Sequence, residues 1–195
     1  VCVNNIPLSR GLGSSSAAVL SGLLAANRLL GNPFSKEDVL KKATRIEGHP
    51  DDAAPALYGG VQAACVMNGT VASFAWPVPD LDVVVAVPDF WLSTKTARRV
   101  LPRRITMKDA IWNMSSVALM PRALRGDYGM LRYLLNDKWH EPYRARFIPG
   151  FYDVKKAAMK AGAFGVVLSG AGPSVIGFSD ASHAAGVSKA MHHAF

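Results

Sequence analysis

The feature that most constrains this fold is a turn-rich stretch, residues 7–16, that runs directly into an apolar helical pattern. It contains Gly11 and Gly13 and ends in three consecutive serines at 14–16. Glycines let a backbone approach a phosphate closely, and a helix N-terminus directs free N–H groups and a positive dipole end at an anion. Serine hydroxyls add hydrogen bonds or bind a hard cation. The stretch predicts an anion cradle; on spacing alone, an ordinary Gly/Ser loop with a serine N-cap stays the alternative.

The stretch differs from the two common nucleotide-binding loops. No Gly-Lys-Ser/Thr follows its glycines, as a Walker A loop would require. The third glycine position of a dinucleotide fingerprint is occupied by Ser16. Neither of those loop classes is therefore predicted.

Periodicity along the rest of the chain predicts a mixture of helices and strands. Helical spacing runs over 17–30 and over 36–47, where Ser35 and Asp38 resemble a capping box. Strand patterns cover 56–76, with a hairpin signal at Asn68-Gly69. Further strands are predicted over 81–87, 165–169 and 174–178, the tail of a strand at 1–3, and helices over 94–101, 106–125, 127–136, 150–161 and after Asp180. Without regular βαβ alternation, this plan predicts the α+β class, with a domain boundary near Pro79.

Composition excludes several classes of protein. Of the 195 residues, 50% are hydrophobic, so the chain can bury a core and is not disordered. No apolar run reaches the roughly 18 residues of a membrane span. Cys2 and Cys65 are too few for a disulfide scaffold, and no CxxC pair predicts zinc. The formal net charge of +8 indicates an anionic partner without identifying it.

Two further segments carry groups suited to chemistry. Glu47, His49, Asp51 and Asp52 place three carboxylates and an imidazole within six residues, a set that can hold Mg²⁺ and bind an ammonium group. Residues 168–174 form a glycine-rich turn between two strands, whose N–H groups can bind an anion. The alternatives are a solvated acidic helix end and a tight β-turn.

Arginines supply the remaining candidates. Arg98 and Arg144 have the forked guanidinium that suits carboxylates and phosphates. A solvated helix face is the alternative for such basic runs. The basic balance also fits nucleic acid, although none of the usual nucleic-acid motifs is present.

Taken in order, these segments resemble the GHMP small-molecule kinases. Residues 7–18 are similar to the family's ATP phosphate loop and residues 168–174 to its third motif. Residues 47–60, 93–102 and 140–144 resemble the members that phosphorylate L-homoserine. The resemblance implies an α+β fold with a ribosomal S5 domain 2-like N-terminal part at 1–79, a ferredoxin-like C-terminal domain at 80–195, and a site between them.

The resemblance also implies a reaction and its surroundings. ATP would phosphorylate the side-chain hydroxyl of L-homoserine to give O-phospho-L-homoserine, a step of threonine biosynthesis, with Mg²⁺ as cofactor. A cytoplasmic homodimer is expected, with no nucleic-acid or membrane partner.

The site residues follow from matching positions. The expected catalytic residues are Glu47, Ser15 and Arg98, and the expected Mg²⁺ ligands are Ser15 and Glu47. The expected ATP-binding residues are Pro7, Ser9, Arg10, Gly11, Leu12, Gly13, Ser14, Ser15 and Ser16. The expected homoserine-binding residues are His49, Asp51, Asp52, Thr94, Arg98, Arg144, Ser169 and Gly170.

The chain departs from the family pattern in two ways. Asp52 stands where most members have Asn, and it adds a negative charge beside the amino-acid site. The family's first motif and its final strand and helix are absent, so we expect the middle and rear of a larger kinase. Three alternatives stay open: a GHMP kinase acting on mevalonate or a sugar, an S5-like nucleic-acid-binding module, and an inactive fragment.

Overall fold

A computed structural model describes residues 3–195, which pack as two compact units. The first unit holds the described residues before Pro7 together with Gly13–Val78. The second holds Pro7–Leu12 together with Pro79–Phe195. Residues 1 and 2 of the strand expected at the start, Cys2 included, lie outside the described residues. The division into family domains at residue 79 stays a prediction.

The first unit is a layer of helices on a two-stranded hairpin. Its elements are α1 (Ser14–Leu29), α2 (Lys36–Glu47), α3 (Ala53–Tyr58), β1 (Val61–Met67) and β2 (Thr70–Trp76). Helix α1 begins at Ser14, three residues before its predicted start, so the serines lie in its first turn. The capping box predicted at Ser35 and Asp38 is confirmed, since both of its hydrogen bonds are present.

The core of the first unit lies where its three helices meet. Leu20 of α1, Val39 and Leu40 of α2, and Ala53 of α3 are all at most 3% exposed. Burial of this face fixes which side of α1 turns inward, and Ser16, one turn before Leu20, lies on that side.

Helix α3 corrects the prediction of strands from residue 56. Residues 56–58 are helical, and Pro55 occupies the first turn, where its missing N–H is not needed. The hairpin prediction beyond it is confirmed. Strands β1 and β2 are antiparallel, and Asn68 and Gly69 join them with φ of 50° and 75°, as a tight hairpin turn requires.

The second unit packs helices on a three-stranded antiparallel sheet. Its elements are β3 (Asp82–Ala86), α4 (Thr94–Arg99), α5 (Met107–Ala123), α6 (Leu131–Leu134), α7 (Glu141–Arg144), α8 (Phe151–Lys160), β4 (Gly165–Leu168), β5 (Val175–Ser179) and α9 (Ala181–Ala194). The strand order is β3-β5-β4. Helices α8 and α9 cover one face, where Phe151, Val175 and Met191 are fully buried.

Most elements of the second unit agree with the periodicity. The helix predicted over 127–136 is instead a short 3₁₀ turn, Tyr128–Met130, followed by α6. Helix α7 was not predicted. The mixture of helices with separate antiparallel sheets confirms the α+β class. Within residues 3–195, no helix is both long and apolar enough to cross a membrane.

Candidate functional site

The start of α1 leaves backbone donors without partners inside the helix. Gly13 precedes the helix with φ of 74°, a left-handed conformation that suits glycine. Among the described residues, no side chain caps this end. The first N–H groups, from Gly13 to Ser16, therefore have no intrahelical acceptor, and they add to the positive end of the helix dipole.

Glu47, the last residue of α2, accepts hydrogen bonds from two α1 hydroxyls. Ser15 Oγ donates to Oε1 over 2.7 Å, and Ser16 Oγ donates to Oε2 over 3.0 Å. Gly48 ends α2 with φ of 87°, which turns the chain away immediately after the carboxylate. The two predicted metal ligands, Ser15 and Glu47, are thus brought together.

The chemistry of this pair fits Mg²⁺. Hydroxyl and carboxylate oxygens are hard donors, and Mg²⁺ is usually held by one or two carboxylates together with substrate phosphates. In the part of the chain that the structure describes, no cluster of three His, Cys, Asp or Glu side chains could cage a metal. A single carboxylate beside a hydroxyl matches the sparse type of magnesium site.

The acidic segment after Glu47 belongs to the same unit. His49 Nδ1 is hydrogen-bonded to the carboxylate of Asp51, so these two predicted residues form a pair. The Asp51 side chain is 71% exposed, whereas that of His49 is 29% exposed. Asp52 occupies the N-cap position of α3.

In the second unit, Pro7–Leu12 packs against the glycine-rich turn between β4 and β5. Ser169 Oγ donates to the carbonyl of Gly11 over 2.7 Å, and Ser174 N–H donates to the carbonyl of Arg10 over 3.3 Å. Arg10 also donates through Nη2 to the carbonyl of Asp89 over 3.2 Å. Ser169 and Gly11 lie 158 positions apart in the sequence, and Arg10 and Asp89 lie 79 positions apart.

Only glycine fits at position 11. Its φ is 75°, and a Cβ added there would lie 2.2 Å from the carbonyl oxygen of Ser169 and 2.9 Å from that of Gly172. Gly170 and Gly172 also have positive φ, which lets the turn between β4 and β5 stay tight. The turn is closed by Ser169 N–H, which donates to Ser174 O over 2.9 Å.

Arg144, at the end of α7, connects this turn to α4. Its Nη1 donates to the carbonyl of Gly170 over 3.0 Å, and its Nε donates to the carbonyl of Ala97 over 3.3 Å. Arg98 follows Ala97 and is exposed, as is Thr94 at the start of α4. The structure therefore groups Arg144, Gly170 and the Arg98-bearing helix.

A polar cluster that the sequence did not reveal supports α7. Asp137 Oδ2 accepts the N–H groups of His140 and Glu141 over 2.6 and 2.8 Å. Burial raises the pKa of Asp137, but hydrogen bonds from His140 and from neighbouring N–H groups outweigh it and hold that pKa well below its usual range. Pro142, in the first turn of α7, was the available helix-start signal, because the N-cap position itself is His140.

The second half of this cluster is a buried ion pair. Glu141 is 6% exposed, and its Oε1 meets Lys155 Nζ of α8 at 2.5 Å. Burial raises the pKa of Glu141, and Lys155 acts in the opposite direction. Because Lys155 comes from a different helix, no local sequence signal indicated the pairing.

Two family models match this chain. The model of the GHMP kinases N terminal domain matches residues 1–60, and the model of the GHMP kinases C terminal domain matches residues 119–195. The chain belongs to the GHMP kinase family. These matches cover both segments in which the sequence resembled the family's phosphate loop and third motif.

Two relatives of this GHMP kinase chain are both named homoserine kinase. It is 48% identical to homoserine kinase of Trichormus variabilis over 97% of its own length and 64% of that protein. It is 46% identical to homoserine kinase of Carboxydothermus hydrogenoformans over 94% of its own length and 60% of that protein. The chain thus spans less than two thirds of the length of these relatives.

Two solved structures are similar to this chain in fold. The crystal structure of homoserine kinase from Cytophaga hutchinsonii superposes with a TM-score of 0.90 at 35% identity, covering 98% of this chain and 64% of that one. The L. major mevalonate kinase superposes with a TM-score of 0.72 at 19% identity, which is a likeness of fold alone.

Proposed function

We propose that this GHMP kinase transfers the γ-phosphoryl group of ATP to the side-chain hydroxyl of L-homoserine, giving ADP and O-phospho-L-homoserine, a step of threonine biosynthesis. The observation that carries the proposal is the start of α1, where a glycine loop, uncapped N–H groups and the Ser15–Glu47 pair occur together. Relatives at 46–48% identity that are named homoserine kinase support this choice of acceptor.

The phosphates of ATP are proposed to lie on residues 7–16. Backbone N–H groups around Gly11 and Gly13 approach an anion closely, and the α1 dipole stabilises its charge. Ser15 and Glu47 would hold Mg²⁺, which when bound neutralises charge on the phosphates. The role of the chain is positioning and charge stabilisation, which is what phosphoryl transfer mainly requires.

Homoserine is proposed to be held through its charged ends. Arg98 and Arg144 suit its carboxylate, because guanidinium and carboxylate form paired, charge-assisted hydrogen bonds. Asp51 suits its ammonium group, and His49, Asp52, Thr94, Ser169 and Gly170 are proposed to line the same site. In the transfer, the hydroxyl oxygen forms a new bond to phosphorus, the bond to the ADP oxygen breaks, and the hydroxyl proton is released.

The test is acceptor-dependent ADP release by the full-length protein. We expect ADP release with L-homoserine and little with mevalonate or a hexose. Release with one of the other acceptors instead would show a different GHMP kinase. A salt-dependent shift of RNA without ATP binding would support the nucleic-acid alternative and contradict the proposal.

Glu47→Gln tests the metal role. We expect it to lower kcat and to change the Mg²⁺ dependence, because a carboxylate ligand becomes a neutral amide. Glu37→Gln, at the exposed start of α2, is the matched control. A Glu47→Gln enzyme with unchanged kcat and Mg²⁺ dependence would show that Glu47 is not a ligand.

Arg144→Leu tests the carboxylate contact. A lost charge-assisted hydrogen bond should raise the KM for homoserine roughly ten- to a hundredfold and spare the Kd of ATP. Arg146→Leu is the matched control, since Arg146 is exposed and lies over the Tyr143 ring. An unchanged homoserine KM would remove Arg144 from the site. Arg98→Leu against Arg99→Leu gives the same comparison on α4.

A homodimer in the cytoplasm completes the proposal. Light scattering coupled to size exclusion measures the mass of the full-length protein, and a monomeric mass at micromolar concentration would contradict the dimer. Fractionation of cells that produce it, followed by immunodetection, tests the compartment.

A further inference from the structure

Ser15 and Ser16 bond the same carboxylate but differ in accessibility. Ser15 is exposed and donates to Glu47 Oε1, whereas Ser16 is 1% exposed and donates to Oε2. The sequence offered both hydroxyls as contacts for ATP. Their burial separates them, because a ligand that arrives from solvent can meet Ser15 and not the enclosed Ser16.

Helix geometry explains the difference. Successive residues of an α-helix are about 100° apart around its axis, so adjacent serines face different directions. Ser16 shares a face with Leu20, four residues on, which is 3% exposed in the core of the first unit. Its hydroxyl is therefore fixed on the inner side of Glu47, and the Ser15 hydroxyl lies on the outer side.

We propose that Ser16 is a positioning residue that holds Oε2 of Glu47, so that only Oε1 and the Ser15 hydroxyl are presented to Mg²⁺. The inference rests on the proposed function, which supplies the metal. It gives Ser16 a role through Glu47 in place of a direct phosphate contact. Carboxylates that bind metals are themselves commonly held by hydrogen bonds, and removing such a partner typically lowers metal affinity ten- to a hundredfold.

The arrangement also has a consequence for metal choice. A carboxylate whose second oxygen is held on the buried side by an enclosed hydroxyl presents its other oxygen to a metal that arrives from solvent. Mg²⁺ favours such single-oxygen ligation in a strict octahedron, whereas Ca²⁺ accepts two oxygens of one carboxylate. Ser16 therefore favours Mg²⁺ over Ca²⁺ at this position.

The experiment is a calorimetric titration of Mg²⁺, and separately of Ca²⁺, into the full-length protein saturated with a non-hydrolysable ATP analogue. For Ser16→Ala we expect the Kd of Mg²⁺ to rise about tenfold or more. The ratio of the Ca²⁺ Kd to the Mg²⁺ Kd should fall, because Oε2 is released for a second bond. Loss of helix stability alone would not move that ratio.

Ser21→Ala, at an exposed position of the same helix, is the control and should keep both constants. Circular dichroism checks that the Ser16→Ala protein is folded, which we expect because alanine is smaller and favours helix. Unchanged metal constants in Ser16→Ala would overturn the inference. A second result would also overturn it: Ser16→Ala binds the ATP analogue more weakly in EDTA but keeps the wild-type Kd values for Mg²⁺ and Ca²⁺. Ser16 would then be a phosphate contact. A wild-type complex that binds no Mg²⁺ would instead refute the proposed metal site itself.

Discussion

Replacing Gly11 by alanine tests whether the loop Pro7–Leu12 is held as closely against the glycine-rich turn as the structure shows. The new Cβ would lie 2.2 Å from the carbonyl oxygen of Ser169 and 2.9 Å from that of Gly172. Both contacts are to backbone atoms, which cannot rotate away as a side chain would. The loop or the turn must move, and the 2.7 Å bond from Ser169 Oγ to Gly11 O is then strained or lost.

Two contributions set the expected size of the effect. A non-glycine residue in the left-handed region costs roughly 1–2 kcal/mol. Overpacking of a closely packed site adds about 1–3 kcal/mol. The free energy of unfolding of Gly11→Ala should therefore fall by about 2–5 kcal/mol.

Gly13→Ala provides a matched control. Gly13 has φ of 74°, against 75° at Gly11, but no atom of the described residues lies within 4 Å of a Cβ added at Gly13. It should show only the conformational cost, so the two variants should differ by about 1–3 kcal/mol in urea unfolding followed by circular dichroism. Equal losses of stability in the two variants would refute the close approach of the loop to the turn.

Three further predictions concern stability. Lys155→Met should lower the free energy of unfolding by about 3–5 kcal/mol, because Glu141 is left buried and unpaired. Adding Glu141→Gln to this variant should restore much of the lost stability. A double variant no more stable than Lys155→Met alone would contradict the buried ion pair. The pKa of Asp137 is lower in the folded protein than in the unfolded chain. Its contribution to the free energy of unfolding is therefore present above about pH 4 and is lost as the pH falls below that value. The stability difference between wild type and Asp137→Asn should shrink on acidification, and a difference constant with pH would count against the hydrogen-bonded carboxylate. Ser35→Ala should lower the free energy of unfolding by about 1 kcal/mol through loss of the capping box, and Ser21→Ala should lower it by less than about 0.5 kcal/mol. Similar losses in the two variants would show that the capping box does not stabilise α2.

Sequence patterns predicted the turns and helix ends that depend on interactions between residues close in the sequence. The capping box of α2 involves residues three apart, and the Asn68-Gly69 turn joins adjacent strands, so both were readable from the sequence. Helix α3 was missed because its apolar run is short and contains Pro55, which resembles the break before a strand. Helix α7, with four residues, is too short to show a period.

The candidate site shows the same limit. The residue types of the phosphate loop and the acidic segment were visible, and the structure pairs Ser15 with Glu47 and His49 with Asp51. The contact between Gly11 and Ser169 was not predictable, because 158 positions separate the two residues and only packing brings them together. The same holds for burial, which distinguishes Ser16 from its neighbour.

The division of the chain between its two units has a topological consequence. Pro7–Leu12 and Pro79–Phe195 belong to one unit, and Gly13–Val78 interrupts them in the sequence. Most of the first unit is therefore inserted into the sequence of the second unit and does not simply precede it. A polypeptide that starts at Pro79 would lack the loop Pro7–Leu12, which packs against the turn between β4 and β5. One in which a short linker replaces residues 13–78 would retain every segment of the second unit.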